Sequence, residues 1–363
     1  MRRIIMEYNT DAMGMLDLMV RPAFCVKNGA VVKVNPAAAG YLIETGTDIS
    51  RLLQTGAEEY ADFTGGCLYL TLSLSGQSVG VSVTRMAEFD VFCLEQEADS
   101  AELQAMALAA RELREPLASV MLTADRLFPV SGLTDDPQTR EQVARINRGL
   151  FQMLRVIGNM SDAGRYCAES SSRQEIRDIC AVIGEAFEKA AALVTYTGTT
   201  LTYEGYPEAV YCLTDSEKLE RAIFNIISNA LKFTPRDGTI AAKLTRRGSK
   251  LYLTVQDSGC GITENLRGNV FTRYARQPGL EDSRFGIGLG MVLIRTAAAA
   301  HGGTVLVDQP EGSGTRITMS LAIRQNATAQ TRSPILAPDY AGERDHGLIE
   351  LAEVLPYRLY DMP

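Results

Sequence analysis

Between residues 98 and 168, apolar side chains recur in steps of three and four along two long stretches. The first carries Leu103, Met106, Ala110, Leu113, Leu117, Val120, Ala124 and Leu127; the second carries Val143, Ile146, Leu150, Met153, Ile157 and Met160. This spacing puts each set on one face of an α-helix, and PVSGLTDDP between them supplies a turn. Such a hairpin has more apolar surface than its two helices can hide from each other, so the pattern predicts a four-helix bundle made by two copies of the chain. The alternative is that both seams pack onto neighbouring parts of the same chain. Pro116 sits inside the first seam without breaking its period, although a proline in a helix interior costs about 3 kcal/mol.

Ahead of residue 97 the period is shorter. The runs AFCV, NGAVVKVN, CLYLTLSL, SVGVSVTRM and DVFCLE read as strands, and Asn28-Gly29 is a strong hairpin signal. Residues 1–97 are therefore expected to form a small α+β domain. From 173 to 323 helical and strand patterns are mixed. Residues 324–363 open as a polar linker and read as a flexible tail, with GLIELAEVLPYRLY as a transient amphipathic turn and docking of that turn as the alternative. The whole is an α+β multidomain chain.

Composition narrows the function classes. The 363 residues are 46% hydrophobic and 22% charged with a formal net charge of −8, and no basic run alternates with aromatics, which excludes a nucleic-acid partner. Seven scattered cysteines without a C-x-x-C pair predict buried, reduced thiols. No run of apolar residues is long enough to span a bilayer and the first residues lack a signal-peptide core, so a cytoplasmic location is expected.

The candidate chemistry lies in the third block. In DSEKLERAIFNIISNALKFTP, Asn225, Asn229 and Lys232 fall on one side of a helix whose apolar face is Leu219, Ile223, Ile226, Ile227 and Ala230. Amide oxygens suit a hard cation that keeps most of its waters, and a lysine one turn on suits phosphate. LYLTVQDSGCGI ends a strand at Asp257 beside Gly259 and Gly261, where a carboxylate can accept a hydrogen bond from an exocyclic amine. RFGIGLGMVLIR brings Gly286, Gly288 and Gly290 to a helix entrance, whose backbone N–H groups and dipole favour phosphate. GSGTRITMSL then gives a glycine turn into a last strand.

The order of these boxes resembles the ATP-binding domain of the histidine kinases, which belong to the Bergerat-type ATPases together with gyrase, the Hsp90 chaperones and the mismatch-repair ATPases. The resemblance implies a Bergerat-type α/β sandwich over residues 173–323, with ATP and Mg²⁺ as cofactors. It would place Asn229 on the metal, Asn225 and Lys232 near the phosphates, and Asp257 on the adenine amine. Gly259 and Gly261 would line the base pocket, with Gly286, Gly288, Leu289, Gly290 and Thr315 also contacting nucleotide and NVFTRYARQPGLEDSR, with Phe271, forming a mobile lid. ELREPL upstream resembles the dimerisation and phosphoacceptor helix of the same family, where Pro116 would kink the helix beyond the acceptor. Residues 1–97 more loosely resemble a PAS sensor, with Asn35 after its VVKV strand. That block has no histidine to ligate haem, and its cysteines do not match the flavin-photosensor motif.

One departure bears on activity. Aligning Glu112, Leu113, Arg114, Pro116 and Leu117 with the family motif puts Arg111 at the phosphorylated histidine and Glu115 where the family has Thr or Asn. The chain's two histidines, His301 and His346, lie far along the sequence. A guanidinium keeps its proton, with a pKa above about 12, and is no nucleophile; Glu112, the family's base, has no imidazole to activate. Two functions follow from the resemblance: a kinase that phosphorylates a histidine on another protein, such as a partner kinase, or an ATP-binding pseudokinase that signals by binding a response regulator or a kinase.

Overall fold

The structure is a computed structural model that describes residues 14, 16–127, 136–168, 174–262, 270–271, 288–325 and 345–360. It is a mixed α/β fold. In the N-terminal part, β1 (Ala23–Lys27) and β2 (Ala30–Val34) are joined by Asn28 and Gly29, both with positive φ (52° and 80°), as a two-residue hairpin turn demands. A helical turn α1 (Ala57–Ala61) precedes β3 (Cys67–Leu74), β4 (Gln77–Arg85) and β5 (Asp90–Leu94). These strands form an antiparallel sheet in the order β2-β1-β5-β4-β3. One face buries Phe24, Val26, Leu68, Leu70, Leu72, Val83 and Phe92 against Ala38, Ile49 and Phe63. Asn35 is a structural staple: its Oδ1 accepts from Ala23 and Ala38, and its Nδ2 donates to Arg21 O at 2.8 Å.

Two long helices follow, α2 (Glu97–Leu127) and α3 (Pro137–Ala168). α2 runs without a break through Pro116, whose surroundings from Arg111 to Glu115 are exposed. The heptad set Leu103, Ala110 and Leu117 is buried, as is Val143, Leu150 and Ile157 on α3. The second set on each helix is not: Leu113 is 49% exposed, Val120 54%, Leu127 68%, Ile146 46% and Met153 51%.

The C-terminal part comprises β6 (Glu175–Asp178), α4 (Ile179–Val194), β7 (Thr200–Glu204), β8 (Tyr211–Thr214), α5 (Ser216–Phe233), β9 (Thr239–Arg247), β10 (Lys250–Asp257), α6 (Gly290–Ala300), β11 (Val305–Asp308) and β12 (Arg316–Ala322). Along β9 and β10 burial alternates residue by residue, so one face of the sheet carries the helices and the other is polar. Ile240, Ala242, Leu251, Leu253, Met319 and Leu321 pack beneath Phe187, Ile223, Ile227 and Ile294 of the helices.

The first and third blocks, read from the sequence as separate domains, share a ten-stranded sheet, β2-β1-β5-β4-β3-β11-β12-β10-β9-β7. β3 pairs antiparallel with β11 through Cys67↔Val307, Leu68↔Leu306 and Tyr69↔Val305, so each edge satisfies the other's backbone donors and acceptors. Lys250 reinforces the seam with an ion pair to Glu59 at 2.8 Å, and Arg295 on α6 pairs with Glu95 just before α2.

A second difference concerns the tail. Residues 345–360 are not a free end: α7 (His346–Glu350) and the segment after it bury Ile349, Leu351, Ala352, Leu355 and Tyr360 against α3, α4 and α5. The apolar content of this short segment is enough to pack once α3 and α5 are brought together, a juxtaposition invisible in the sequence. Among the described residues the six cysteines are free, with Cys25, Cys67 and Cys212 buried but Cys260 exposed, contrary to the expectation that all are buried. No helix of the described residues is long and apolar enough to cross a membrane.

Candidate nucleotide site

α5 starts at the N-cap Asp215, whose carboxylate accepts from Lys218 N at 3.1 Å, and its apolar face locks it onto the sheet. Asn225, Asn229 and Lys232 therefore point along one side, as the spacing predicts. The Nδ2 of Asn225 donates to Arg221 O at 2.8 Å, which turns its Oδ1 toward the α-carbon of Gly290; a Cβ there would stand 3.0 Å from that oxygen. Asn229 reaches Met291 Sδ through Nδ2 at 3.7 Å. Both amides thus face the start of α6, where Leu289 occupies the N-cap position without a side-chain cap. An uncapped first turn presents backbone N–H donors and the positive end of the helix dipole.

Asp257 closes β10 and is buried. Its Oδ1 accepts from Gly259 N at 2.8 Å and Thr315 N at 3.1 Å. A carboxylate offers about four lone-pair sites, so with both donors on Oδ1 the second oxygen has room for another. Desolvation raises the Asp257 pKa above the ordinary carboxylate value, and the Gly259 and Thr315 hydrogen bonds oppose that rise. Gly259 and Gly314 are needed for the close packing of this loop: a Cβ on Gly259 would meet Phe233 O at 2.5 Å, and one on Gly314, at φ +98°, would collide with Asp257 O. The glycines thus first serve the tight fold around the carboxylate. Gly261 (φ +75°) lies against Gln309 and Gly314 at the next turn.

The other predicted residues have neighbours of their own. Lys232 is nine-tenths buried and its ammonium is held by Glu353 of the C-terminal segment; burial lowers its pKa, while the Glu353 carboxylate pulls it back up. Leu289 packs with Val292 and Leu293 of α6 against Leu103 of α2 and Ala163 of α3. Phe271 packs against Tyr69 of β3 with the rings tilted by 50° and their centroids 5.6 Å apart. Gly288 (φ +72°) precedes α6, whereas Gly286 and most of the expected lid lie outside the described residues. Arg111 and Glu112 are exposed on α2. His301 is buried and structural: its Nε2 accepts from Asp215 N at 3.1 Å and its Nδ1 donates to Ala297 O at 2.8 Å. Sequence reasoning missed Arg155, Arg221, Glu350 and Glu353, whose ion pairs join three segments far apart in the chain.

A sheet covered on one face by helices, with an asparagine pair opposite an uncapped helix start and a buried carboxylate at a strand end, defines a nucleotide-binding α/β domain. Residues 214–325 match the family described as Histidine kinase-, DNA gyrase B-, and HSP90-like ATPase, which supports ATP binding. The chain is 27% identical over 276 residues to the uncharacterized sensor-like histidine kinase R01002 of Rhizobium meliloti, covering 72% of this chain and 52% of the relative. It is 28% identical over 250 residues to the sensor histidine kinase TmoS of Ectopseudomonas mendocina, covering 67% and 24%, and 27% identical over 241 residues to the hybrid signal transduction histidine kinase D of Dictyostelium discoideum, covering 64% and 15%. The chain spans about half the length of the first of these relatives and a quarter or less of the others. Among solved structures, full-length ShkA in complex with AMPPNP aligns with a TM-score of 0.49 at 20% identity, over 62% of this chain and 47% of that one. The sequence relatives are thus sensor histidine kinases, and the ATPase match falls on the block that carries Asn225, Asp257 and Gly290.

Proposed function

We propose that this chain is a Mg-ATP-binding sensor-kinase relative that transfers phosphate to a histidine of another protein, because its own acceptor position holds Arg111. The observation that carries the reading is Asp257, whose carboxylate is held by Gly259 and Thr315 with one acceptor site left for an exocyclic amine such as that of adenine. A guanine carbonyl oxygen at the same place would meet an acceptor and be repelled. Phosphates would lie at the start of α6. The amide oxygen of Asn229 would hold a Mg²⁺ that keeps several waters, with Asn225 and the Lys232 ammonium near the phosphates. The donor set fits such a metal, since both amides stand at the start of α6 and a hard cation takes amide oxygens as ligands.

In such a transfer the partner's imidazole nitrogen attacks the γ-phosphorus, a P–N bond forms as the bond to the ADP oxygen breaks, and ADP leaves. A carboxylate takes the imidazole proton. Glu112 stands exposed beside Arg111 and has no such imidazole to serve within its own chain. The N-terminal unit is read as a PAS-like sensor, supported by its five-stranded antiparallel sheet and the short helical segments between β2 and β3. Dimerisation through the hairpin is supported by the exposed heptad sets on α2 and α3. A response regulator or a second kinase is the partner, and the cytoplasm the location. The second reading, an ATP-binding pseudokinase that signals by shape alone, is favoured by the same Arg111.

The test is to incubate the full chain with γ-labelled Mg-ATP, alone and with a histidine kinase that carries an intact acceptor but cannot use ATP. The proposal expects acid-labile label on the partner and none on this chain. ATP binding with label on neither favours the pseudokinase, and acid-labile label on α2 would show that the acceptor has been misplaced.

A further inference from the structure

The C-terminal segment contacts the candidate nucleotide site through charge. Asp345 caps α7 by accepting from Leu348 N at 3.1 Å, and the chain then lies in the cleft between α3 and α5. Arg148 donates to Ala352 O and Glu353 O, Gln152 to Ala352 O and Asn147 to Tyr360 O, each at 3.1 Å. Tyr360 packs edge-on to Phe151 and donates to Leu348 O at 2.7 Å, so the segment is folded on itself as well as on α3. Two carboxylates enter the buried cleft. Glu350 pairs with Arg221 at 3.2 Å and lies 3.8 Å from Arg155; Glu353 pairs with Arg155 at 3.0 Å and with Lys232.

All five of these charged side chains are nine-tenths buried or more. A buried ion is costly unless it is paired, so three cations brought together on α3 and α5 require anions. Two of those anions come from the tail. Removing Glu353 would leave the Lys232 ammonium and the Arg155 guanidinium facing each other, as the depressing effect of Arg155 on the Lys232 pKa also indicates. Lys232 lies one turn along α5 from Asn229, on the same side as the two asparagines. An ammonium buried against Glu353 and neutralised by it attracts a phosphate oxygen less.

We infer that residues 345–360 form a built-in anionic competitor of the nucleotide: Glu353 occupies Lys232, and phosphate binding at Lys232 and docking of the tail exclude each other. This rests on the reading of Lys232 as a phosphate ligand. The same segment braces α3 against α5, beside the direct contacts of Arg221 with Asp162 and Asn159 of α3.

The experiment uses the full chain. Calorimetry with Mg-ATP is carried out on wild type, Glu353→Gln and Lys232→Met, and hydrogen exchange of the 345–360 amides is followed with and without saturating Mg-ATP. The proposal expects Glu353→Gln to bind ATP at least tenfold more tightly, Lys232→Met to bind at least tenfold more weakly, and the wild-type tail amides to exchange faster when ATP is bound. The exchange measurement needs no variant and so stands if Glu353→Gln fails to fold. Undiminished affinity in Lys232→Met overturns both the proposal and the assignment of Lys232 to phosphate. Weakened binding in Lys232→Met together with tail protection that ATP does not change leaves that assignment in place and overturns the competition alone.

Discussion

Leu113→Asp tests the hairpin as a dimer interface. In the single chain Leu113 is 49% exposed and belongs to the seam with Val120 and Leu127 that α3 does not cover, while Leu103, Ala110 and Leu117 of the adjoining seam are buried. Covering the exposed half of a leucine contributes about 1 kcal/mol, half the usual value for full burial, and twofold symmetry doubles it to about 2 kcal/mol. The aspartate loses this term and adds the cost of desolvating two carboxylates, at least about 1 kcal/mol each even after partial compensation. The sum, about 4 kcal/mol per dimer, weakens association roughly a thousandfold. Sedimentation velocity over a range of concentrations, with circular dichroism to confirm helix content, reads this directly. Leu108→Asp is the control, since Leu108 is 66% exposed on the opposite side of α2 and its substitution should leave the dimer intact. A Leu113→Asp chain that sediments as wild-type dimer, or a wild type that is monomeric, refutes the assignment of this surface.

Two further outcomes follow from named groups. Burial lowers the His301 pKa, with Lys218 and Arg324 acting in the same direction and the Ala297 carbonyl and Asp215 against it, so the unfolded chain binds a proton that the folded chain resists. Stability from this site is present above the unfolded histidine pKa and falls as the pH drops below it, with a limiting slope of about 1.4 kcal/mol per pH unit; urea titrations at pH 7.5 and about 5.5 should show a smaller loss for His301→Gln, and equal losses would contradict it. Arg111→His restores an imidazole beside Glu112 and should acquire slow acid-labile labelling from γ-labelled ATP, whereas a variant that binds ATP without labelling supports the pseudokinase.

Local chemistry was the readable part of the sequence. The strand runs, the Asn28-Gly29 turn and both hairpin helices stand where their periodicity places them, because each depends on neighbours within a few residues. Asp257 meets Gly259 within its own motif, and Asn225 stands opposite Gly290. Pairings between distant segments were not readable. Nothing in the alternation of CLYLTLSL distinguishes an edge open to water from one that pairs with Val305–Val307, and Tyr69 gives no sign that Phe271 will cover it. The tail shows the same limit. Glu350 and Glu353 look like ordinary solvated charges until Arg155, Arg221 and Lys232, from two helices far apart in sequence, converge on them. Lys232 was assigned by position on its helix, and its partner came from more than a hundred residues further on.

The central claim, adenine recognition by a buried carboxylate, is tested most directly by titrating the full chain with Mg-ATP and Mg-GTP, as wild type and as Asp257→Asn. The asparagine oxygen can still accept from Gly259 and Thr315, so the loop keeps its shape while the charge is lost. A hydrogen bond to a charged group contributes about 1.5–3 kcal/mol, so the variant should bind ATP roughly ten to a hundredfold more weakly. Wild type should prefer ATP over GTP. Unchanged ATP affinity in Asp257→Asn, or GTP bound by wild type as tightly as ATP, would contradict the account.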